Sequence, residues 1–272
     1  MKNRILCSLC VVASFFAGNK VFAQSGALYT LPDNYRFDYE VDQQITGKKN
    51  QTDTIRFYYT KSGDYAAASF SPKERMKGNM FIVLTRGGNV VVMNEHKKNI
   101  KIVSIPKMIS DMTQLVKYIK IDSLMANMRR NSNGHEFSSV KTGNTKTIGS
   151  YTTEEYNVSG KKGEKASIWY AKVDFNTQGD YLKGIIGGNF LNMMDGGKKN
   201  EHPVMQALLQ PKVLVTSIES TDSAGTKRNN LQTISIKPTD LTVSTMGYAV
   251  DDYSNKSLPE IFEAEMKKGE NL

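Results

Sequence analysis

Residues 141–160, KTGNTKTIGSYTTEEYNVSG, hold the types that could carry chemistry: glycines near a Lys146-Thr147 pair, then the adjacent carboxylates Glu154 and Glu155. A phosphate-cradling loop needs a glycine directly before its Lys-Thr, so that successive backbone amides face the phosphates, and it must open a helix. Thr145 occupies that place and the following residues alternate like a strand, so nucleotide binding is not expected. Neighbours in a strand point to opposite faces, so Glu154 and Glu155 cannot serve one substrate as an acid–base pair. The stretch reads as a turn at Gly143-Asn144 feeding an alternating strand.

The other candidates fail on spacing. His135-Glu136 begins a zinc-helix pattern, but Ser139 stands where the second histidine is required. His96 and His202 fall in apparent turns. No Gly-x-Ser-x-Gly elbow is present, and Asp195-Gly196-Gly197 lacks the further acidic residues of a calcium loop. Asn50, Asn157 and Asn255 match the glycosylation acceptor, a pattern frequent by chance. The sequence therefore assigns no catalytic residue, no metal ligand and no cofactor, and the expectation is a protein that is not an enzyme.

The first 23 residues explain where such a protein works. Lys2 and Arg4 precede an apolar run over residues 5–17, and Val21 and Ala23 suit a signal-peptidase site before Gln24. The run is too short to span a bilayer. The expectation is export to the periplasm or cell envelope with cleavage after Ala23, a flexible segment over 24–34, and one domain over 35–272. Cys7 and Cys10, the only cysteines, leave with the signal, so no disulfide or thiolate remains. The whole chain carries +9, which becomes about +6 without Lys2, Arg4 and Lys20. Its lysine pairs are scattered over turns and helix ends, which reads as solvated loop tips; the alternative is weak contact with an anionic membrane surface. Nucleic acid is not expected, because no basic face is interleaved with aromatics.

The elements follow from periodicity. Tyr35, Phe37, Tyr39 and Val41 alternate with charged residues, the mark of a strand with one wet face. Further strands are expected over 55–60, 65–70, 80–86, 90–94 and 100–105, with Gly87-Gly88 as a hairpin turn. At Pro106 the period changes. Met108, Ile109, Met112, Leu115, Val116 and Ile119 share a helical stripe, continued by Ile121, Leu124, Met125 and Met128. Strands resume at 137–142, 151–156 and 166–174, and a second helical section spans 179–194 with Leu182, Ile186, Phe190 and Met193 on one side. A short helix over 203–209, strands at 213–219, 231–236 and 241–246, the second bounded by Pro238, and a last helix over 259–268 with Ile261, Phe262 and Met266 inward complete the reading. The fold class is mainly β (α+β): a curled antiparallel sheet or half-barrel with helices packed on one face as a lid.

Methionine is the suggestive residue. Twelve remain after the signal, eight of them in helical segments, and methionine lines surfaces that accept varied apolar partners, although it also fills ordinary cores. The candidate wall and lid of an apolar pocket are Phe37, Tyr39, Met108, Ile109, Met112, Leu115, Met125, Ile186, Phe190 and Met193.

Thr142, Gly143, Lys146, Ile148, Tyr151, Tyr156 and Trp169 resemble the Thr-Gly-x-x-Lys-x-Ile-x-Gly-Tyr turn, strand and tryptophan strand of a family of uncharacterised secreted proteins from Gram-negative, Bacteroidetes-type bacteria. Ser150 replaces the second glycine, and Thr153 stands where many members carry Cys. That family is similar to the LolA/LolB lipoprotein-carrier group, whose curled sheet holds acyl chains under a helical lid. The resemblance implies a binding module for a lipid or an acylated protein. The alternative is a structural or interaction protein of the envelope with a solid core.

Overall fold

Alternation builds the first strand and a bulge then redirects it. β1 (Asn34–Thr46) buries Tyr35, Phe37, Tyr39 and Val41, but its register against β11 shifts between Phe37 and Tyr39. A bulge puts an extra residue between pairs and turns the strand. The computed structural model describes residues 29–46, 51–70, 80–118, 137–160, 165–181, 210–221 and 227–269. They form one twelve-stranded, curled sheet of order β12-β6-β5-β4-β3-β2-β1-β11-β10-β9-β8-β7. Its strands are β2 (Thr52–Tyr59), β3 (Tyr65–Phe70), β4 (Met80–Thr85), β5 (Asn89–Asn94), β6 (Asn99–Ser104), β7 (Phe137–Ile148), β8 (Tyr151–Gly160), β9 (Lys165–Lys172), β10 (Val213–Thr221), β11 (Lys227–Ser244) and β12 (Ala249–Asp252). All neighbouring pairs are antiparallel except β12 with β6.

Two helices with described bounds accompany the sheet, α1 (Ile105–Tyr118) and α2 (Leu258–Gly269), and residues 178–181 are helical as well. Ser104 caps α1, its hydroxyl accepting the Lys107 amide at 3.3 Å. Ser257 and Glu260 cap α2, the Glu260 carboxylate accepting both the amide and the hydroxyl of Ser257. Asp111 of α1 accepts the Leu258 amide at 3.2 Å and so ties the two helices. No described helix is long and apolar enough to cross a membrane.

Three apolar clusters hold these layers. The first joins Tyr39, Val41 and Tyr59 to Ile105 and Ile109 of α1 and to Phe175, Leu214 and Ile236. The second joins Tyr35 and Phe37 to Tyr58, Val83, Val91 and Ile102, with Tyr29 and Leu31 packed on it. Tyr58 and Tyr59 are successive residues of β2, so the two clusters lie on opposite faces of the sheet. The single wall expected from Tyr35 to Val41 is thus split at the bulge. The first half of β1 folds over one face, where the Tyr65 hydroxyl of β3 bonds both the amide and the carbonyl of Arg36. The third cluster, Val158, Ile168 and Val215, belongs to β8–β10.

Other expectations are corrected as well. Gly143-Asn144 is not the hairpin turn. β7 continues through it with a register shift between Lys141 and Thr145, and Gly143 takes φ +88°. The chain reverses at Gly149-Ser150 instead, and Ile148 pairs with Tyr151. Pro238 does not end a strand. It sits inside β11 opposite Tyr39, where the bulge removes the need for its missing N–H. In α2, Phe262 and Met266 are not inward: they are 67% and 66% exposed, while Glu265 turns toward β6 to pair with Lys101. β12, which carries no alternation, was not foreseen.

Candidate functional site

The expected wall and lid residues divide among the cores. Phe37 and Tyr39 are buried in different clusters. Ile109 is buried beneath α1 in the cluster of Tyr39, and Met108 beside it is half-buried. Met112 and Leu115 lie further along the backbone of α1. Met125, Ile186, Phe190 and Met193 lie outside the described residues, as do the continuation of the first helical stripe past 118, the helix over 203–209 and most of the second helical section. The signal segment does too. The structure brings Tyr39 and Ile109 together and separates Phe37 from both.

Around Tyr39 the core is filled by rings. Phe175 stacks on Tyr39 at 4.5 Å and on Tyr59 at 5.0 Å, and Tyr151 meets it edge-on at 6.1 Å. The Asp174 carboxylate accepts the Tyr39 hydroxyl at 2.7 Å and the Tyr151 hydroxyl on its other oxygen. Those two phenols, Tyr151 first, hold the Asp174 carboxyl below its ordinary range. Burial and the Asp174 bond push the Tyr39 phenol up to about 12. The arrangement locks the β7–β8 turn and the segment after β9 onto β1.

A different apolar surface lies on β8–β11, and the sequence reading passed over it. Register brings Val158 beside Ala166, and Tyr156, Ile168, Ile218 and Leu231 into one row across four strands; Tyr170 pairs with Val215. Partners across a ladder share a face, so these residues form one continuous strip. Val158, Ile168 and Val215 are at most 3% exposed, with Tyr170, Ile218 and Leu231 packed against them. Tyr156 and Tyr170 are 5.1 Å apart. Burial pushes the Tyr170 phenol up to about 12. The signal was present in the alternation Ala166, Ile168, Tyr170. In β10 a register shift between Val215 and Ser217 breaks the period and hides it.

Glu154 and Glu155 do face opposite ways. Glu154 lies on the strip side and pairs with Lys141 at 2.8 Å. Glu155 accepts the Thr142 hydroxyl at 2.9 Å, the Asn144 side-chain amide at 2.7 Å and the Ser167 hydroxyl. Those bonds, the one from Ser167 foremost, hold the Glu155 carboxyl below its ordinary range. The Lys146 ammonium lies 4.2 Å from the centre of the Trp169 ring. Burial pushes Lys146 down, opposed by Glu219 and Glu155. Among the described residues, no three of His, Cys, Asp and Glu group closely enough to hold a metal ion.

No protein-family model matches the chain, and no curated protein matches it in sequence. Among solved structures, an uncharacterised conserved protein from Thermus thermophilus is similar at 9% identity and TM-score 0.37, over 79% of this chain and 90% of that one. A LolA superfamily protein from Nitrosomonas europaea is similar at 12% identity and TM-score 0.23, over 78% of this chain and 89% of that one. Likeness at this level carries no argument about function.

Proposed function

We propose that the protein is an exported, non-catalytic binding module that takes a lipid or other apolar ligand, such as the acyl chain of a modified protein, against the strip of β8–β11. The observation that carries the reading is the strip itself. Val158, Ile168 and Val215, with Tyr170, Ile218 and Leu231 packed against them, make one continuous apolar surface across four strands. Ligand sites of this class are mostly apolar with few polar groups; here the polar groups are the Tyr156 and Tyr170 hydroxyls and the Glu154–Lys141 pair. Phe37 and Tyr39, enclosed in ring-filled cores, then serve stability.

The second reading is an interaction protein of the envelope with a solid core. The observation favouring it is the exposure of Phe262 and Met266, one helical turn apart on α2.

Native mass spectrometry of the chain from Gln24 onward, purified gently from a periplasmic fraction and followed by organic extraction, separates the two. The expected result is a co-purifying adduct of lipid mass that is lost in Tyr170→Glu and Ile218→Glu variants with unchanged circular dichroism. A mass without adduct that stays so after incubation with envelope lipids rejects the binding module in favour of the interaction protein.

A further inference from the structure

The strands β8–β10 carry a second surface on the face turned away from the strip. Trp169 follows Ile168 and Ser217 precedes Ile218, so both point to the other side. Register places Glu155, Trp169 and Ser217 in one row, and Asn157, Ser167 and Glu219 in the next. Lys146 reaches over the Trp169 ring from β7. Within this patch Glu155 is saturated by Thr142, Asn144 and Ser167 and acts as a rigid post. Three polar groups beside it retain hydrogen-bonding capacity, Lys146 engaging only the Trp169 ring. The Lys146 ammonium is half-buried, and neither it nor the Glu219 carboxylate has a hydrogen-bonded or ion-paired partner among the described residues. The Ser217 hydroxyl is buried, the residue being 1% exposed, and bonds nothing. A buried hydroxyl without a partner costs about 1–3 kcal/mol, and such an atom asks for an explanation.

We infer that this face is a saccharide site. The three groups need a ligand that offers acceptors to Lys146, donors to Glu219 and either to Ser217, at several points around a compact ring. Sugar hydroxyls are both donors and acceptors, and the C–H surface of a pyranose suits the half-buried indole of Trp169. A simple anion meets Lys146 but is opposed by Glu219 and Glu155. A simple cation meets Glu219 but is opposed by Lys146. A neutral ring of hydroxyls satisfies both charges without opposing either. The exposed side chains of Asn144 and Asn157 extend the polar rim.

Trp169 is the single tryptophan of the chain, so its emission reports the site directly. The test titrates the mature protein with maltotetraose, chitotetraose and mannotetraose, all uncharged, reading tryptophan emission and titration calorimetry together. At least one of the three is expected to give saturable binding, in roughly the micromolar to millimolar range. Glu219→Gln and Lys146→Met are each expected to weaken that binding tenfold or more with an unchanged melting temperature. Ser217→Ala, which removes only the unbonded hydroxyl, serves where Lys146→Met lowers stability, and is expected to weaken binding severalfold. Absence of saturable binding with all three sugars overturns the inference. So does binding that Glu219→Gln and Ser217→Ala leave unchanged.

Discussion

Glu155 shows how a residue that looked catalytic serves the scaffold. Its carboxylate is spent on three donors across the β7–β8–β9 ladder. Because those bonds depress its pKa in the folded protein, its stabilising contribution is complete above the ordinary glutamate value of about 4.3 and is lost as pH falls through the lower folded-state value. Glu155→Gln is therefore expected to lower stability by about 1 kcal/mol at pH 7, a figure reduced for the partly open setting. The deficit against the unsubstituted protein shrinks as urea melts are taken toward pH 3. A deficit that stays constant with pH contradicts the assignment. Two glycines give a paired experiment on backbone. Gly149 has φ +59°, and a Cβ there meets the Ile236 carbonyl oxygen at 2.5 Å; Gly143 has φ +88° with nothing within 4 Å. Alanine at Gly149 is expected to cost roughly 2–4 kcal/mol, combining left-handed strain with overpacking. At Gly143 it costs about 1 kcal/mol, from the dihedral alone. Equal midpoint shifts for the two would mean that the close approach to β11 is not made.

At the scale of elements, the strands of the first half were legible because each is an alternating or continuous apolar run that ends in turn chemistry. Gly87-Gly88 lies between Leu84 and Val90, which pair as expected. What escaped were the bulges, because a bulge and a turn use the same residues. Gly143-Asn144 and Pro238 are both punctuation within a continuing strand. The bulge near Asp38 was invisible for the opposite reason: it leaves the apolar spacing of Tyr35, Phe37, Tyr39 and Val41 intact while moving half of them to the other face. The candidate site suffered accordingly. Tyr39 packs with Ile109 while Phe37 lies in the other cluster, and the apolar strip of β8–β11 is hidden in the sequence by the shift in β10. Helix α2 supplies a test at this scale. An amphipathic reading turns Phe262 and Met266 inward, whereas the fold exposes them. The double variant Phe262→Ser, Met266→Ser is expected to move stability by no more than about 0.5 kcal/mol. A loss of several kcal/mol, read by thermal melting, would restore the inward placement.

For the whole molecule the decisive fact is the neighbour of β1. No local pattern announces that the first strand pairs with the eleventh, since periodicity specifies a strand but not its partner. Asn34 lies opposite Ser244, and the ladder continues to Ile45 opposite Leu231. β1 and β11 together join β2–β6 to β7–β10. A chain ending at residue 226 lacks that join and leaves an inner strand as an edge. It is expected to show no cooperative melt and no slow-exchanging amides in β2–β5. Protected amides in those strands would mean that the first half folds alone.

That pairing also sets a clock. A ribosome delivers about 5–20 residues each second, so some 10–40 seconds separate the appearance of β1 from that of the strand that completes it. Through that interval one of the two central strands of the finished sheet has one row of amides and carbonyls open to any passing chain. Its own sequence meets the hazard. Arg36, Asp38, Glu40 and Asp42 place a charge at every second position, and the bend at Asp38 spoils a straight template. The charges that later bond Arg56 and Lys237 thus serve first as a guard on an unfinished protein.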